Sequence, residues 1–447
     1  MERVTDLVTH TERHDDSSKA TLDGEANGTP SAHDVVVVGI GMVGATLALL
    51  LAREGLSVAM VDARPGPLSW DSVGEGLPAP RVSALTPVSQ RLLQGLGVWP
   101  TIHQRRATPY TAMRVWDAEG SGEVGFRADQ AGVPVLGHIV ENDVVLGALE
   151  RRLDGLAEVA RWYGGRVTAL ERSPGQGASL GPDAGGGHTL ILEDGRRLTA
   201  PLVVAADGAR SRLRELAGIA ASERDTGHHA LVTTVHTAKP HGDTARQAFL
   251  GSGPLAFLPL TVAGDPHHCS IVWSTSPQDA ERLAGLSREG LGDALTRAFD
   301  GRLGAVTVLD EARTFPLAQR HAATYHRPGL VLVGDAAHSI HPLAGQGVNL
   351  GLMDAAVLAE EVLAARRRGM ALGDDGPLAR YERRRRGDNA AMLGLMDAFR
   401  GLFGARHPAL TLLRNVGLTG VDRLSPLKHL MMQQATGERG RLPLSCR

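Results

Sequence analysis

At 447 residues, 43% of them hydrophobic, the chain is long enough for two or three packed domains, and its formal net charge is only −2. That balance excludes a global pull towards nucleic acid or anionic membrane. Cys269 and Cys446, the only cysteines, exclude a disulfide framework, which fits a reducing cytoplasm. No stretch approaches the roughly 18 uninterrupted apolar residues of a membrane span.

Residues 1–33 are polar, without a hydrophobic run or period, and read as a disordered N-terminal extension. They lack the apolar core of a signal peptide, and their Asp and Glu content argues against a transit peptide. At Asp34 the character changes. Val35-Val36-Val37-Val38 predicts a buried parallel strand, followed by Gly39-x-Gly41-x-x-Gly44 and a helix carrying Val43, Leu47, Leu50 and Leu51. A second strand over 57–61 ends in Asp62. Strand, glycines, helix, strand and terminal acid in that order form a dinucleotide-binding fingerprint. The glycines would admit a pyrophosphate to the helix N-terminus, and Asp62 would take the adenosine ribose hydroxyls.

Arg81 precedes Val82-Ser83-Ala84-Leu85 and a helix with Leu92, Leu93 and Leu96. Alternation over 113–126 predicts a hairpin. Glu141-Asn142 opens a helix over 144–153, where Asn142 has the chemistry of a helix cap. Strands are expected over 166–172 and 189–199, the latter turning at Asp194-Gly195, with a Gly/Pro-rich surface insertion over 173–188 between them. The run 202–206 then enters Asp207-Gly208-Ala209-Arg210-Ser211-Arg212-Leu213-Arg214, another strand-to-helix turn. A plain Asp-Gly turn explains its first pair but not the rest. Residues 230–308 alternate between short strands and polar turns, with one helix over 277–298. Antiparallel strands here would form a substrate wall.

The chain is organised around residues 334–354, GDAAHSIHPLAGQGVNLGLMD. The apolar run 330–333 enters it, and Gly334-Asp335 stops that strand. Val348, Leu352, Ala355, Ala356, Ala359, Val362 and Leu363 leave it on one helix face. Pro342, Gly345 and Gly347 between them let the backbone approach a flat ligand. The helix would begin near Gly347, its free N–H groups aimed at whatever sits over the loop. A flavin suits such a site, because its N1–C2=O edge becomes anionic on reduction. Asp335 would accept hydrogen bonds from a polyol such as the ribityl chain.

This stretch resembles the second FAD motif of the ubiquinone-biosynthesis hydroxylases, a branch of the single-component aromatic flavin monooxygenases. Asp207 to Arg214 matches that family's DGxxSxxR motif, and the resemblance extends over nearly all of residues 34–437. It implies an α/β protein. A Rossmann-like three-layer FAD domain would be assembled from residues 34–108, 134–222 and 319–365. An antiparallel-sheet substrate domain would come from 109–133 and 223–318, and a helical C-terminal region from 366–447.

The implied activity is FAD-dependent hydroxylation of a polyprenylated phenol or benzoquinol ring, with NAD(P)H as electron donor and O₂ as co-substrate. Cofactor contacts are implied for Gly39, Gly41, Val43, Gly44, Asp62, Asp207, Gly208, Ser211, Arg214, Gly334, Asp335, Pro342, Gly345, Gly347, Val348 and Asn349. The DGxxSxxR residues would serve both the FAD pyrophosphate and the nicotinamide donor. Arg81 would approach the flavin or its phosphates, unless it is a solvated surface arginine. Asn142 matches the family's Val-Glu-Asn element beside the cofactor. Candidate catalytic residues are His338, His341, Pro342 and Gln346. Either histidine could polarise a substrate hydroxyl, although membership of the cofactor motif favours structural hydrogen bonding.

A flavin-dependent isoprenoid reductase, a hydroxylase of another aromatic and a non-catalytic FAD-binding subunit of a quinone-biosynthesis complex are the alternatives. A halogenase is disfavoured because no Trp-x-Trp pair occurs. The chain after residue 368 reads as helical, with Leu393, Met396, Phe399, Leu402 and Phe403 on one side and amphipathic pieces at 410–416 and 424–432. Basic runs at 366–368 and 383–386 read as a solvated helix face, or alternatively as a region touching the inner membrane.

Overall fold

A computed structural model describes residues 30–118, 120, 122–172, 187–339, 347–404, 436–438 and 440–447. The expectations for residues 1–29, for the insertion over 173–186 and for the amphipathic pieces at 410–416 and 424–432 lie outside these.

The four valines Val35–Val38 form the centre of a six-stranded sheet, buried on both faces as a parallel strand flanked by two layers requires. Leu202–Ala205 pairs with them in parallel on one side and Val58–Asp62 on the other. Leu330–Leu332 and Val159–Tyr163 extend the sheet outward, still parallel, and the short antiparallel strand His326–Arg327 closes one edge. Strand order reverses at Val35–Val38, so the crevice beyond its carboxyl end is where such a sheet binds its ligand. The helices Met42–Ala52, Asn142–Leu153 and Gly347–Arg367 bury their apolar residues in the same core as a four-stranded sheet that includes Val167–Arg172, His188–Leu192 and Arg197–Ala200. Helices, parallel sheet and antiparallel sheet make three layers.

That four-stranded sheet corrects the N-terminal boundary. Ser31–Ala32 pairs in parallel with Leu198 and Thr199, so strand pairing begins before Asp34. An open strand edge with unpaired backbone groups recruited residues whose composition gave no sign of it.

The second body is a nine-stranded sheet into which the hairpin Ala112–Asp117/Glu123–Arg127 is built, with Met113 opposite Phe126 as expected. Its central strands are long rather than short: Ala221–Thr237 runs for 17 residues. That strand and Arg313–Ala322 both run through the expected domain cuts, because their pairing resumes past an irregularity between Asp225 and His228 and reaches Ala221 and Ala322. The small sheet Val82–Leu85, Gly137–Glu141 and Thr108–Tyr110 shares an apolar cluster with the large one, built from Ala84, Tyr110, Ile139, Leu258 and Leu260 among others. Residues 277–298 form two helices instead of one, Pro277–Ala284 and Arg288–Ala298. Ser287 is the reason, since its hydroxyl caps Gly290 N–H at 3.1 Å and starts a new helix.

Of the two basic runs, Arg366, Arg367 and Arg368 are exposed, as a solvated helix face requires, whereas the second run is partly turned inward. In the helix Asp375–Gly404, Arg380 and Arg384 pair with Glu361 at 2.8 Å, and Arg384 also reaches Glu360 at 2.7 Å. Arg385 is buried. Only Arg383 and Arg386 of the second run are exposed. The partners are acids on Gly347–Arg367, so Arg380, Arg384 and Arg385 form the docking face between two helices. No helix among the described residues is long and apolar enough to cross a membrane.

Candidate active site

Three strand-to-helix turns converge at the carboxyl end of the parallel sheet. In the first, Gly39 has φ +105°, and a Cβ there would drive into the Ala206 carbonyl of the neighbouring turn. A Cβ on Gly44 would strike the Gly39 carbonyl. Both glycines are therefore required by packing. Gly41 is different, because a Cβ built on it meets nothing within 4 Å. It caps the helix Met42–Ala52 with no side-chain hydrogen bond and no acid in the first turn. The result is a bare helix N-terminus opening on empty space, the arrangement that receives a phosphate.

Asp62 ends the second strand, as expected for a ribose acceptor, and it also braces the turn. Its Oδ2 accepts from Ile40 N–H at 2.7 Å and its Oδ1 from Arg64 N–H at 2.8 Å, leaving each oxygen a further lone pair. Arg64 in turn donates to the Ile40 carbonyl and to Glu150, both at 2.8 Å. Val43 does not offer its side chain to a ligand. That side chain fills the space left by the missing Cβ atoms of Gly334 and Gly351, locking the first turn to the third.

The middle turn starts at Asp207, whose Oδ2 accepts from Leu213 N–H at 3.1 Å while Oδ1 is buried with no partner. Burial pushes this carboxyl up, against the pull of its hydrogen bonds from Ser211 and the backbone. Gly208 has φ +82° and open space around its Cβ position. Ser211 caps the following short helix by accepting from Arg214 N–H at 3.0 Å. Arg214, expected to meet both pyrophosphate and nicotinamide, has its guanidinium on backbone carbonyls. It is buried, and its guanidinium donates to the carbonyls of Ala336 at 2.9 Å and Ala209 at 3.0 Å. These bonds staple two of the turns together.

In the third turn Gly334 takes φ +57° and Asp335 is exposed to the cleft. Water reaches this carboxylate, yet protein surrounds it. Burial in that recess raises its carboxyl above the usual value, opposed by His338 and Arg81. Arg81 is exposed, with its guanidinium 5.8 Å from the Phe315 ring. The His338 imidazole is engaged by a carboxylate of the protein. It is buried, and its Nε2 lies 2.5 Å from Asp354 Oδ2. His341, Pro342, Gly345 and Gln346 lie outside the described residues.

The helix begins at Gly347, as expected, with Val348 half-buried behind it. Asn349 is turned to another task than the cofactor. It accepts from Thr86 N–H at 3.0 Å and Ser89 Oγ at 2.7 Å, and donates to the Ala84 carbonyl at 2.8 Å. It stitches this helix to the segment after Arg81. Asn142 caps nothing: Glu141 holds the cap position without a side-chain bond, and Asn142 Oδ1 accepts from Ser83 Oγ at 2.7 Å.

Sequence reading passed over the group that holds the third turn together. Asp354 is fully buried on Gly347–Arg367. It accepts from Gly334 N–H at 3.0 Å, His338 at 2.5 Å, Arg385 Nε at 2.6 Å and Asn389 Nδ2 at 3.3 Å. Burial alone would raise this carboxyl. His338 and Arg385 outweigh it and hold the group well below the ordinary carboxylate range. Arg385 also donates to Asn389 Oδ1 at 2.9 Å, and Asn389 to the Tyr325 hydroxyl at 3.4 Å. The available signal was an acid set among the apolar residues of a buried helix face.

These features fit FAD. The open place at Gly41 and the bare helix end suit its pyrophosphate, and Asp335 in the recess suits its polyol. Orphaned Asp207 Oδ1 awaits a donor.

Comparison with known proteins agrees. Residues 32–394 match the model of the FAD binding domain family. The chain is 38% identical over 405 residues to 3-demethoxyubiquinol 3-hydroxylase of Escherichia coli, covering 90% of this chain and 98% of that one. It is 36% identical to ubiquinone hydroxylase UbiL of Rhodospirillum rubrum (90% and 89% covered). To the human ubiquinone biosynthesis monooxygenase COQ6 it is 32% identical (91% and 93%). The solved structure of PqsL from Pseudomonas aeruginosa superposes with a TM-score of 0.70 at 25% identity, over 87% of this chain and all of that one. The chain belongs to the ubiquinone-biosynthesis FAD hydroxylases, a family of FAD-dependent aromatic-ring monooxygenases.

Proposed function

We propose that this protein hydroxylates the aromatic ring of a polyprenylated phenol or benzoquinol in ubiquinone biosynthesis, with NAD(P)H as electron donor and O₂ as co-substrate. The supporting observation is its 38% identity, over 98% of that protein, to a hydroxylase whose name specifies a demethoxyubiquinol ring. Bound FAD would supply the redox and oxygen-activating chemistry. The chain's own residues bind and orient. Gly41 and the helix behind it receive the pyrophosphate, and Asp335 accepts from the polyol. Arg214, Asn349 and the Asp354 group fix the turns from behind, so that the cleft is preorganised before substrate arrives. Phe315, exposed beside Arg81, offers an apolar surface on the large sheet. Transient nicotinamide binding near the FAD site fits a chain with one dinucleotide fingerprint.

A prenyl tail places the reaction in the cytoplasm against the inner membrane surface, or in a quinone-biosynthesis complex that presents the lipid. The test is the efficiency of the FAD-loaded full chain with a prenylated phenol against the same ring without its tail. Each buried methylene contributes about 0.8 kcal/mol, so one isoprene unit gives at least a roughly tenfold gain in kcat/KM. Equal efficiency with both would refute lipid recognition and point to a soluble aromatic acid.

A further inference from the structure

Among the described residues, one group of side chains has ligand chemistry that the flavin cleft does not use. The strand Gly253–Val262 returns as Asp265–Thr275 through a tight turn in which Ala263 has φ +50° and Gly264 φ +84°. The returning strand opens Asp265-Pro266-His267-His268. Across the ladder, His268 faces His236 of Ala221–Thr237. Thus the turn brings three imidazoles around one carboxylate. Asp265 Oδ1 lies 2.6 Å from His267 Nδ1, while Asp265 Oδ2 lies 3.3 Å from His236 Nε2 and 3.4 Å from His268 Nδ1.

Further observations bear on what this group does. The rings of His236 and His267 stack at 5.3 Å with an interplanar angle of 16°, and His268 stands edge-on to His236 at 5.2 Å. His236, Asp265 and His267 each bring one ligand atom to within 4.8 Å of the others, a spacing that one ion can bridge. His268 Nδ1 is shielded from water and has no hydrogen-bond partner. The backbone already fixes Asp265, whose Oδ1 accepts from His267 N–H at 3.1 Å. All four side chains retain some exposure, so an ion has a path in.

We propose that His236, Asp265 and His267, with His268 beside them, form a binding site for a divalent first-row transition ion such as Zn²⁺. Two imidazole nitrogens and a carboxylate oxygen are the donors zinc accepts, with a fourth position left for His268 or water. Oxygen-only cations such as Mg²⁺ and Ca²⁺ are disfavoured by the imidazoles. Bound there, the ion ties the Gly253–Val262/Asp265–Thr275 turn to the far end of Ala221–Thr237. It stiffens one end of the large sheet. The site is independent of the flavin reading, since none of its residues belongs to the cofactor turns.

The test uses the FAD-loaded full chain, stripped with chelator and desalted. Zn²⁺ is titrated calorimetrically, and Co²⁺ serves as a coloured substitute whose visible absorption reports nitrogen and oxygen coordination. One Zn²⁺ per chain is expected at this site, accompanied by a rise in Tm. His236→Ala and His267→Ala should each weaken it by about tenfold or more, about 1.4 kcal/mol, with flavin absorbance unchanged. His103→Ala, on the separate helix Trp99–Arg105, should leave it intact. The more conservative Asp265→Asn should retain the fold and weaken Zn²⁺ while preserving the turn. Unchanged Zn²⁺ binding in the His236→Ala/His267→Ala double variant would overturn the proposal, as would a folded wild type that takes up no Zn²⁺.

Discussion

The first and third cofactor turns do the same job by opposite means. At Gly39–Gly44 the backbone is held by absence of side chains. Two glycines admit neighbouring carbonyls, and the third leaves open space over a helix end. At Gly334, where the third turn leaves its strand, the backbone is held by charge. A fully buried carboxylate gathers one amide, one imidazole and one guanidinium, the last supplied from the C-terminal helix Asp375–Gly404. The first turn is held by its own sequence and by backbone and side chains of its neighbours, without a buried charge from the C-terminal region. The third depends on a residue 31 positions further along, which couples the cofactor loop to the C-terminal region.

Breaking the charged turn should have the largest effect. Asp354→Ala leaves Arg385 buried with only the exposed Asp388 as counter-ion, and should cost about 3–5 kcal/mol in denaturant unfolding, with FAD lost as a consequence. A cost below about 1 kcal/mol would show that the group is incidental. The pH dependence has a definite sign. The folded carboxyl is depressed, so its contribution is fully present above the ordinary value of 3.8 and is lost as pH falls through the lower folded value. Wild type and Asp354→Asn should therefore differ most at neutral pH and converge in acid.

The glycine turn should separate stability from binding. Gly44→Ala overpacks a contact with the Gly39 carbonyl and should cost about 1–3 kcal/mol in the same assay. Gly41→Val faces open space and should stay within about 0.5 kcal/mol of wild type. Its FAD affinity should nonetheless fall by more than tenfold (about 1.4 kcal/mol) in a fluorescence-quenching titration. If Gly41→Val unfolds the protein while binding FAD normally when folded, the cradle is misassigned. Asn349→Ala, which removes the stitch to residues 84–89, should cost about 1–3 kcal/mol, read from the Tm of the cofactor-free protein.

The smallest stability effect is expected at Asp335, where the sign reverses. Burial raises its folded carboxyl, so the ionised form destabilises the cofactor-free protein above that value, and the penalty fades as pH falls towards 3.8. Asp335→Asn should be at least as stable as wild type at neutral pH, with the difference shrinking in acid, yet bind FAD more weakly. A large loss of stability on this substitution would contradict the reading of Asp335 as a ligand acceptor held in a recess.

The contrast between the two turns also explains what could be read from sequence. Gly39, Gly41 and Gly44 announce themselves because their spacing is local and the valine strand before them is unmistakable. The order of strands and helices around them follows from alternation and helical period. Arg385 was invisible for the reverse reason. In a run of four arginines nothing local distinguishes the one that turns inward, and only the acid facing it across a helix pair decides. Arg214 and Asn349 lie in motifs that imply cofactor contact, yet both spend their hydrogen bonds on protein backbone and side chains. A motif marks where a turn is needed. It does not say which member touches the ligand and which holds the turn. The strand Ser31–Ala32 escaped because an edge strand can be chosen by its partner rather than by its own composition.

The most direct test of the central claim is a product analysis. The FAD-loaded protein is supplied with NAD(P)H, isotopically labelled dioxygen and a prenylated benzoquinol, and the organic extract is examined by mass spectrometry. The account predicts a product carrying one labelled oxygen on the ring, formed in step with NAD(P)H consumption. Substrate-stimulated NAD(P)H oxidation that yields only labelled hydrogen peroxide, with the ring unchanged, would contradict it.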